Sequence, residues 1–134
     1  MLLRTIDGVA SGDLAAVPQS TVGISLAPKL TVADARVDWQ APALHIDRLI
    51  RATTPVPGAW STFRGERLKV LPVTLQSDAQ HLAPGHVEVT KQTVLVGTGS
   101  HALRLTDVQA QGKRAMPAAD WARGVRAVTG ELLH

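Results

Sequence analysis

Few side chains in this sequence are spaced for chemistry, and most of those drop out as candidates. His81 and His86 stand five apart across Pro84-Gly85, while His45, His101 and His134 are scattered. A metal ion needs a third ligand and a fixed geometry, so these read as surface histidines and no metal is expected. The absence of cysteine removes thiolate ligands and disulfides. Thr98-Gly99-Ser100 lacks the glycine spacing and the following helix of a phosphate-binding loop, and reads as a hairpin turn. No Ser or Thr is marked out by a base and an orienting group, so no catalytic residue is assigned. One stretch stands apart: Gln109-x-x-Gly112-Lys113-Arg114-Ala115-Met116. Its glycine can expose backbone N–H groups beside two cations, which suits a phosphate. It equally suits a loop leading from the last strand into a helix, and the two readings are compatible.

Charge sharpens that suggestion. The net charge is only +3, but residues 29–69 carry seven Lys/Arg against four Asp/Glu, and residues 101–126 carry five against two. Two basic blocks can form one face toward phosphate, with affinity that falls as salt rises. A solvated surface is the plainer alternative. Of the three tryptophans that could stack bases, Trp39 at a helix entrance and Trp121 on an apolar helix face read as core, and Trp60 is left open.

These residues need elements to hold them. Residues 2–11 read as a helix with Leu2, Ile6, Val9 and Ala10 on one side, ended by Gly12. From Asp13 to Lys29 the composition is that of a linker. Thr31 can cap a short turn from Val32 to Arg36. Ala41 to Thr53 is the surest helix, with Ala43, Ile46, Leu49, Ile50 and Thr53 on one face, and Pro55, Pro57 and Gly58 stop it. Asp47 can pair with Arg51 four residues on. The period then changes to that of strands: 59–63, 67–73, 86–90, 93–96 and 102–106. Arg67 and Lys69 share the face opposite Leu68 and Val70. A last helix spans Pro117 to Arg126, and the tail to His134 is expected to fray. The 134 residues allow one cored domain but not two. We expect a mainly β fold, a small and partly open OB-like β-barrel with flanking helices, with a two-sheet sandwich as competitor. No apolar run is long enough to cross a membrane and no signal peptide opens the chain, so a cytosolic protein is expected.

Several short motifs fall in a familiar order: Ala27-Pro28-Lys29-Leu30-Thr31, Ala35-Arg36-Val37-Asp38-Trp39, Ile46-x-Arg48-Leu49-Ile50-Arg51-Ala52, Pro55-x-Pro57-Gly58-Ala59, Leu68-Lys69-Val70, Pro84-Gly85, Thr98-Gly99, Leu103-x-Leu105, Gln109 and Gly112-Lys113-x-x-Met116. In this order the chain resembles the C-terminal domain of the methionyl-tRNA formyltransferase family over nearly all of its length. It departs at Leu26, where an aromatic is usual, at Val56 between the two prolines, and at His101 in place of a glycine.

The resemblance implies a domain layout: residues 1–19 as the last helix and exit of a preceding catalytic domain, 20–35 as a basic linker, 36–128 as the barrel, and 129–134 as a tail. It implies that the full-length protein transfers a formyl group from 10-formyltetrahydrofolate to the amine of methionyl initiator tRNA. The family's Asn, His and Asp for that step lie in the preceding domain, so this chain alone is expected to bind no cofactor and to be inactive. Its implied partners are initiator tRNA, held by phosphate contacts, and the catalytic domain. Lys29 matches the family's tRNA-facing linker lysine; Arg67, Lys69, Lys113 and Arg114 are the other expected tRNA-binding residues. The alternative is a C-terminal domain of a sugar-nucleotide formyltransferase or formyltetrahydrofolate dehydrogenase type that orients a partner domain without binding tRNA. The apolar side of the first helix, deprived of its domain, is expected to disorder, repack or pair two copies.

Overall fold

The computed structural model describes residues 2–77 and 82–134, so the expected spacing of His81 from His86 lies outside the described residues. Helix α1 (Leu2–Ala10) buries none of its side chains: Leu2, Leu3, Ile6 and Val9 all stay exposed. Residues 11–34 are likewise exposed. The fold proper begins at the turn after Thr31. There the Thr31 N–H and Oγ1 both donate to Asp34 Oδ2, at 2.8 and 2.7 Å, and the Asp34 N–H returns a longer bond to Thr31 Oγ1. Ala35, Val37 and Trp39 then alternate inward, as extended chain beside a core should.

Helix α2 (Ala43–Thr53) turns Ala43, Ile46, Ile50 and Thr53 into the core at the three-and-four spacing read from sequence, with Leu49 half-buried. Its N-cap, Pro42, has no side chain to cap with, so Ser100 Oγ accepts the Ala43 N–H at 3.0 Å from across the molecule. The Thr98-Gly99-Ser100 turn therefore seats α2. A Cβ on Gly99 would lie 2.1 Å from the Gln40 carbonyl oxygen, which only glycine avoids. After Thr53 come two cis prolines, Pro55 and Pro57, and Gly58 at φ +83.

Two antiparallel four-stranded sheets follow. β1 (Trp60–Phe63) and β2 (Glu66–Val70) form a hairpin across Arg64 and Gly65, both at positive φ, as a two-residue turn of the primed type requires. With β7 (Asp107–Ala110) and β8 (Met116–Pro117) they make a sheet ordered β1-β2-β7-β8. The second sheet is β3-β6-β5-β4, from β3 (Val73–Gln76), β4 (Val87–Val89), β5 (Val94–Val96) and β6 (Ala102–Leu105). Helix α3 (Ala118–Gly124) closes one end with Trp121, whose ring meets Phe63 edge to face at 5.0 Å. The mainly β fold with flanking helices is as expected, and the barrel is not closed.

The strand expected over residues 67–73 is in fact two. Pro72 has no N–H to give a ladder, and the chain turns there from one sheet into the other. Opposite it, β6 turns into β7 at Thr106, whose Oγ1 donates to the Pro72 carbonyl at 2.5 Å. The register runs unbroken through this shared corner, with Val70 opposite Val108 and Val73 opposite Leu105. β7 itself falls in a stretch read from sequence as loop, because Asp-Val-Gln-Ala alternates over only four residues and offers a single β-branched side chain, too little to announce a strand.

The tail does not fray. Leu133 is buried, its N–H bonds the Gly85 carbonyl, and His134 exchanges backbone hydrogen bonds with Thr62. Isolated bridges link Leu133 to Phe63 and Leu132 to His86, so the tail joins the two sheets along the edges that the corner leaves apart. Ordinarily a chain end frays because few contacts hold it; here an apolar side chain reaches the core.

Candidate nucleic-acid interface

Strand β2 sorts its side chains by pleat. Leu68 and Val70 are buried, so Arg67 and Lys69 must emerge on the other face. On β1 the residue opposite Lys69 is Trp60, and on β7 it is Gln109. The outer face of the sheet thus sets Trp60, Lys69 and Gln109 in a row, with Arg67 beside them.

Each is fixed by a local cause. Trp60 Nε1 donates to the Val32 carbonyl at 2.7 Å, fastening the end of the linker to the sheet. The Arg67 guanidinium stacks on the Trp60 ring at 4.3 Å, and that of Arg36 approaches the same ring at 5.6 Å. The stem of Lys69 runs along the proline loop, so close that a methyl on Gly58 would sit 3.5 Å from its Cδ and Nζ. Gln109 Nε2 donates to the Lys113 carbonyl at 2.8 Å, and the Lys113 N–H to the Ala110 carbonyl at 3.0 Å, which ties down the turn carrying Gly112 at φ +71. Between them lies a groove of about 430 Å³ lined by Val32, Pro57, Arg67, Lys69, Gln109, Ala110, Gln111 and Gly112. No acid lines it.

Among the described residues the cations of this cluster lack acidic partners, unlike three arginines elsewhere in the chain. Arg51, Arg64 and Arg123 are each paired, with Asp47, Glu131 and Asp120. Among the described residues no carboxylate is in ion-pair contact with Arg36, Arg67 or Lys69, and the buried Arg67 Nε has no acceptor. Asp34, on the turn beside Val32, is engaged by Thr31, whose side-chain and backbone hydrogen bonds hold its carboxyl below the usual aspartate range. Chemically the arrangement suits an anion laid across a sheet face, and among the described residues that line it there is no nucleophile with a base.

Of the five residues expected from sequence, the structure brings Arg67 and Lys69 together. Lys113 stands on the far side of Arg67, on the rim of an apolar slot of about 230 Å³ over Phe63, Leu68 and Trp121. Arg114 is exposed and lines neither space. Lys29 is exposed in the linker, three residues before Val32. Trp39 and Trp121 are buried as expected; Trp39 Nε1 donates to Ser61 Oγ at 2.9 Å. Sequence reasoning missed Arg36 and the part played by Trp60, since both depend on register between strands. A larger concavity of about 540 Å³, between residues 36–40 and the tail, includes Asp38 and shares only Arg36 with this basic cluster. Among the described residues no group of three or more His, Cys, Asp or Glu is placed to hold a metal, and no helix is long and apolar enough to cross a membrane.

Residues 29–126 match the family described as formyl transferase, C-terminal domain. Proteins named methionyl-tRNA formyltransferase from Thermobifida fusca and Streptomyces coelicolor are 59% and 58% identical to this chain. Both alignments cover 98% of the chain and 42% of the relative, so the chain spans about two-fifths of the length of these relatives. A crystal structure of a HypX variant from Aquifex aeolicus matches 97% of the chain and 24% of its own, with a TM-score of 0.69 at 21% identity. HypX in complex with tetrahydrofolic acid gives 0.67 at 19%, matching 97% of the chain and 23% of its own. At these identities the likeness is one of fold alone. Matched by family, by relatives and by architecture, the chain belongs to the formyl transferase C-terminal domain family.

Proposed function

We propose that this chain is the tRNA-binding C-terminal part of a methionyl-tRNA formyltransferase, and that its groove holds the RNA by phosphates. The observation that carries this is the outer face of β1, β2 and β7, where Arg67, Lys69 and, beside Trp60, Arg36 gather positive charge without an acidic partner among the described residues. Gathering like charges on one face, with Arg67 and Lys69 half-buried and Arg36 exposed, is a cost that a polyanion offsets. Lys29, within about 10 Å of chain from Val32, can reach the same phosphates from the linker. Lys113 and Arg114 extend the positive edge. Contacts of this kind position RNA and do not read its bases.

Formyl transfer from 10-formyltetrahydrofolate to methionyl initiator tRNA belongs, in this reading, to the part of the protein the chain does not span. The groove here is open and cation-lined, with no enclosed slot for a flat pterin, so the residues present do not fit folate. The exposed stripe of α1 is assigned to the surface of that catalytic part, and the protein to the cytoplasm where tRNA is charged.

A second reading is a domain that only orients its neighbour, since the same fold also occurs in HypX. Equilibrium binding to initiator and elongator tRNA across a salt series separates the two. Tight, salt-dependent binding is expected, and Lys29→Ala with Lys69→Ala together should flatten the log–log salt slope by about 1.5, from roughly 0.7–0.9 per lost contact. Equal affinity for both tRNAs would put discrimination in the catalytic part. A slope unchanged in the double variant would mean that these lysines face solvent.

A further inference from the structure

We propose that Trp60 is a positioning residue: its indole holds the Arg67 guanidinium as a preformed fork for one phosphodiester of the bound RNA, so this subsite selects phosphate geometry and not charge alone. The inference rests on the tRNA-binding reading above and assigns a division of labour within it.

Trp60 is held on three sides. Its backbone pairs with Lys69 on β2, its N–H and carbonyl bond Ala35 and Val37 of the linker's end, and its indole N–H is spent on Val32. A ring so fixed presents one stable face. Arg67 lies on it at 4.3 Å, a stack that suits the planar guanidinium and that a lysine ammonium cannot reproduce. The Arg67 Nε is buried and without an acceptor, so packing, and no hydrogen bond from that nitrogen, sets this part of the side chain. With Nε withdrawn, the terminal nitrogens are the donors left for a ligand.

A free arginine loses rotamer freedom when it grips a phosphate; here that loss has been taken in folding. The rest of the groove completes the subsite. Lys69 adds a mobile point charge, and the turn at Gly112, tied through Gln109, brings backbone close without side-chain bulk. Glu66 lies on the other side of Arg67, in the apolar slot, and among the described residues the groove has no acid of its own. A phosphate is therefore directed to the groove side of Arg67.

The test is equilibrium binding of the full chain to an initiator-tRNA transcript over a salt series, with Arg67→Lys, Trp60→Leu, the double variant and Lys69→Ala, each checked for a cooperative unfolding transition. Arg67→Lys keeps the charge, so it should bind about tenfold more weakly at each salt concentration with an unchanged slope. Trp60→Leu should weaken binding similarly when Arg67 is present and add little beside Lys at 67. Lys69→Ala should instead flatten the slope by about one contact. Should Trp60→Leu fail to fold, Trp60→Phe keeps a ring face and is expected to bind within about twofold of the parent. Wild-type affinity in Arg67→Lys, or losses at 60 and 67 that simply multiply, would overturn the fork while a flattened slope in Lys69→Ala left the tRNA reading standing. No salt-dependent binding by the parent chain would overturn both.

Discussion

Replacing Leu133 with alanine puts a number on the docking of the C-terminal tail. Leu133 is 2% exposed and belongs to the main apolar core, with its backbone bridged to Phe63 and bonded to Gly85. Truncating a buried leucine costs about 2–5 kcal/mol, the higher values where the surroundings cannot close over the cavity. Here closure is restricted, because the Leu133 carbonyl lies 2.7 Å from where a Cβ on Gly85 would stand, and both segments are held by backbone bonds. About 3 kcal/mol is therefore expected, or a fall in Tm of about 12 °C for a domain of roughly 100 ordered residues. Urea unfolding followed by tryptophan fluorescence measures it, and the m-value should not change if the native state stays compact. Leu132→Ala is the internal control: at 37% exposure it should cost less than about 1 kcal/mol. If the two variants unfold at the same urea concentration, the tail is not part of the core and the bridging of the two sheets is wrong.

Three further outcomes concern the Arg64–Glu131 pair and helix α1. Glu131 has its carboxyl held below the ordinary glutamate value of 4.5, first by the hydrogen bond from Arg64 and then by the Val128 N–H. A depressed acid stabilises fully above its unfolded pKa and loses that contribution as pH falls through the folded one, so stability should drop below about pH 4.5. In Glu131→Gln this acid limb should be shallower; superimposable pH profiles would show that the Arg64–Glu131 pair is not formed in solution. Deleting residues 2–19 removes only exposed chain, so the unfolding free energy should change by less than about 0.5 kcal/mol, whereas a loss above 1 kcal/mol would mean that α1 docks on the domain. Sedimentation of the same deletion tests pairing of chains through α1, since a dimer that survives it cannot use that helix.

Local signals carried far in this protein. The spacing of Ala43, Ile46 and Ile50 announces α2, the prolines at 55 and 57 mark its end, and the Arg67-x-Lys69 alternation places both cations on one outer face. All of these depend on the helical or strand period within a few residues, which the sequence displays directly. The reading of Asp107–Ala110 as loop and of the tail as frayed failed for the complementary reason. A short polar strand is stabilised by neighbours distant in sequence, and a tail leucine looks like any other terminal apolar residue until its pocket exists.

The candidate site divides along the same line. Composition and motif order by themselves determined the basic blocks, Arg67, Lys69 and the Gly112 turn as candidates, and the mainly β class of a formyltransferase C-terminal domain. Tertiary structure alone decided which cations stand together. Trp60 comes opposite Lys69 and beneath Arg67 only through the β1–β2 register, and Gln109 reaches the row only because Pro72 and Thr106 carry one register through the corner. It also set Arg114 apart from the groove and left α1 with no buried side chain among the described residues. Side-chain period is a property of adjacent residues, whereas pairing between strands is chosen by the burial of the whole core, and that choice is what turned scattered charges into a face.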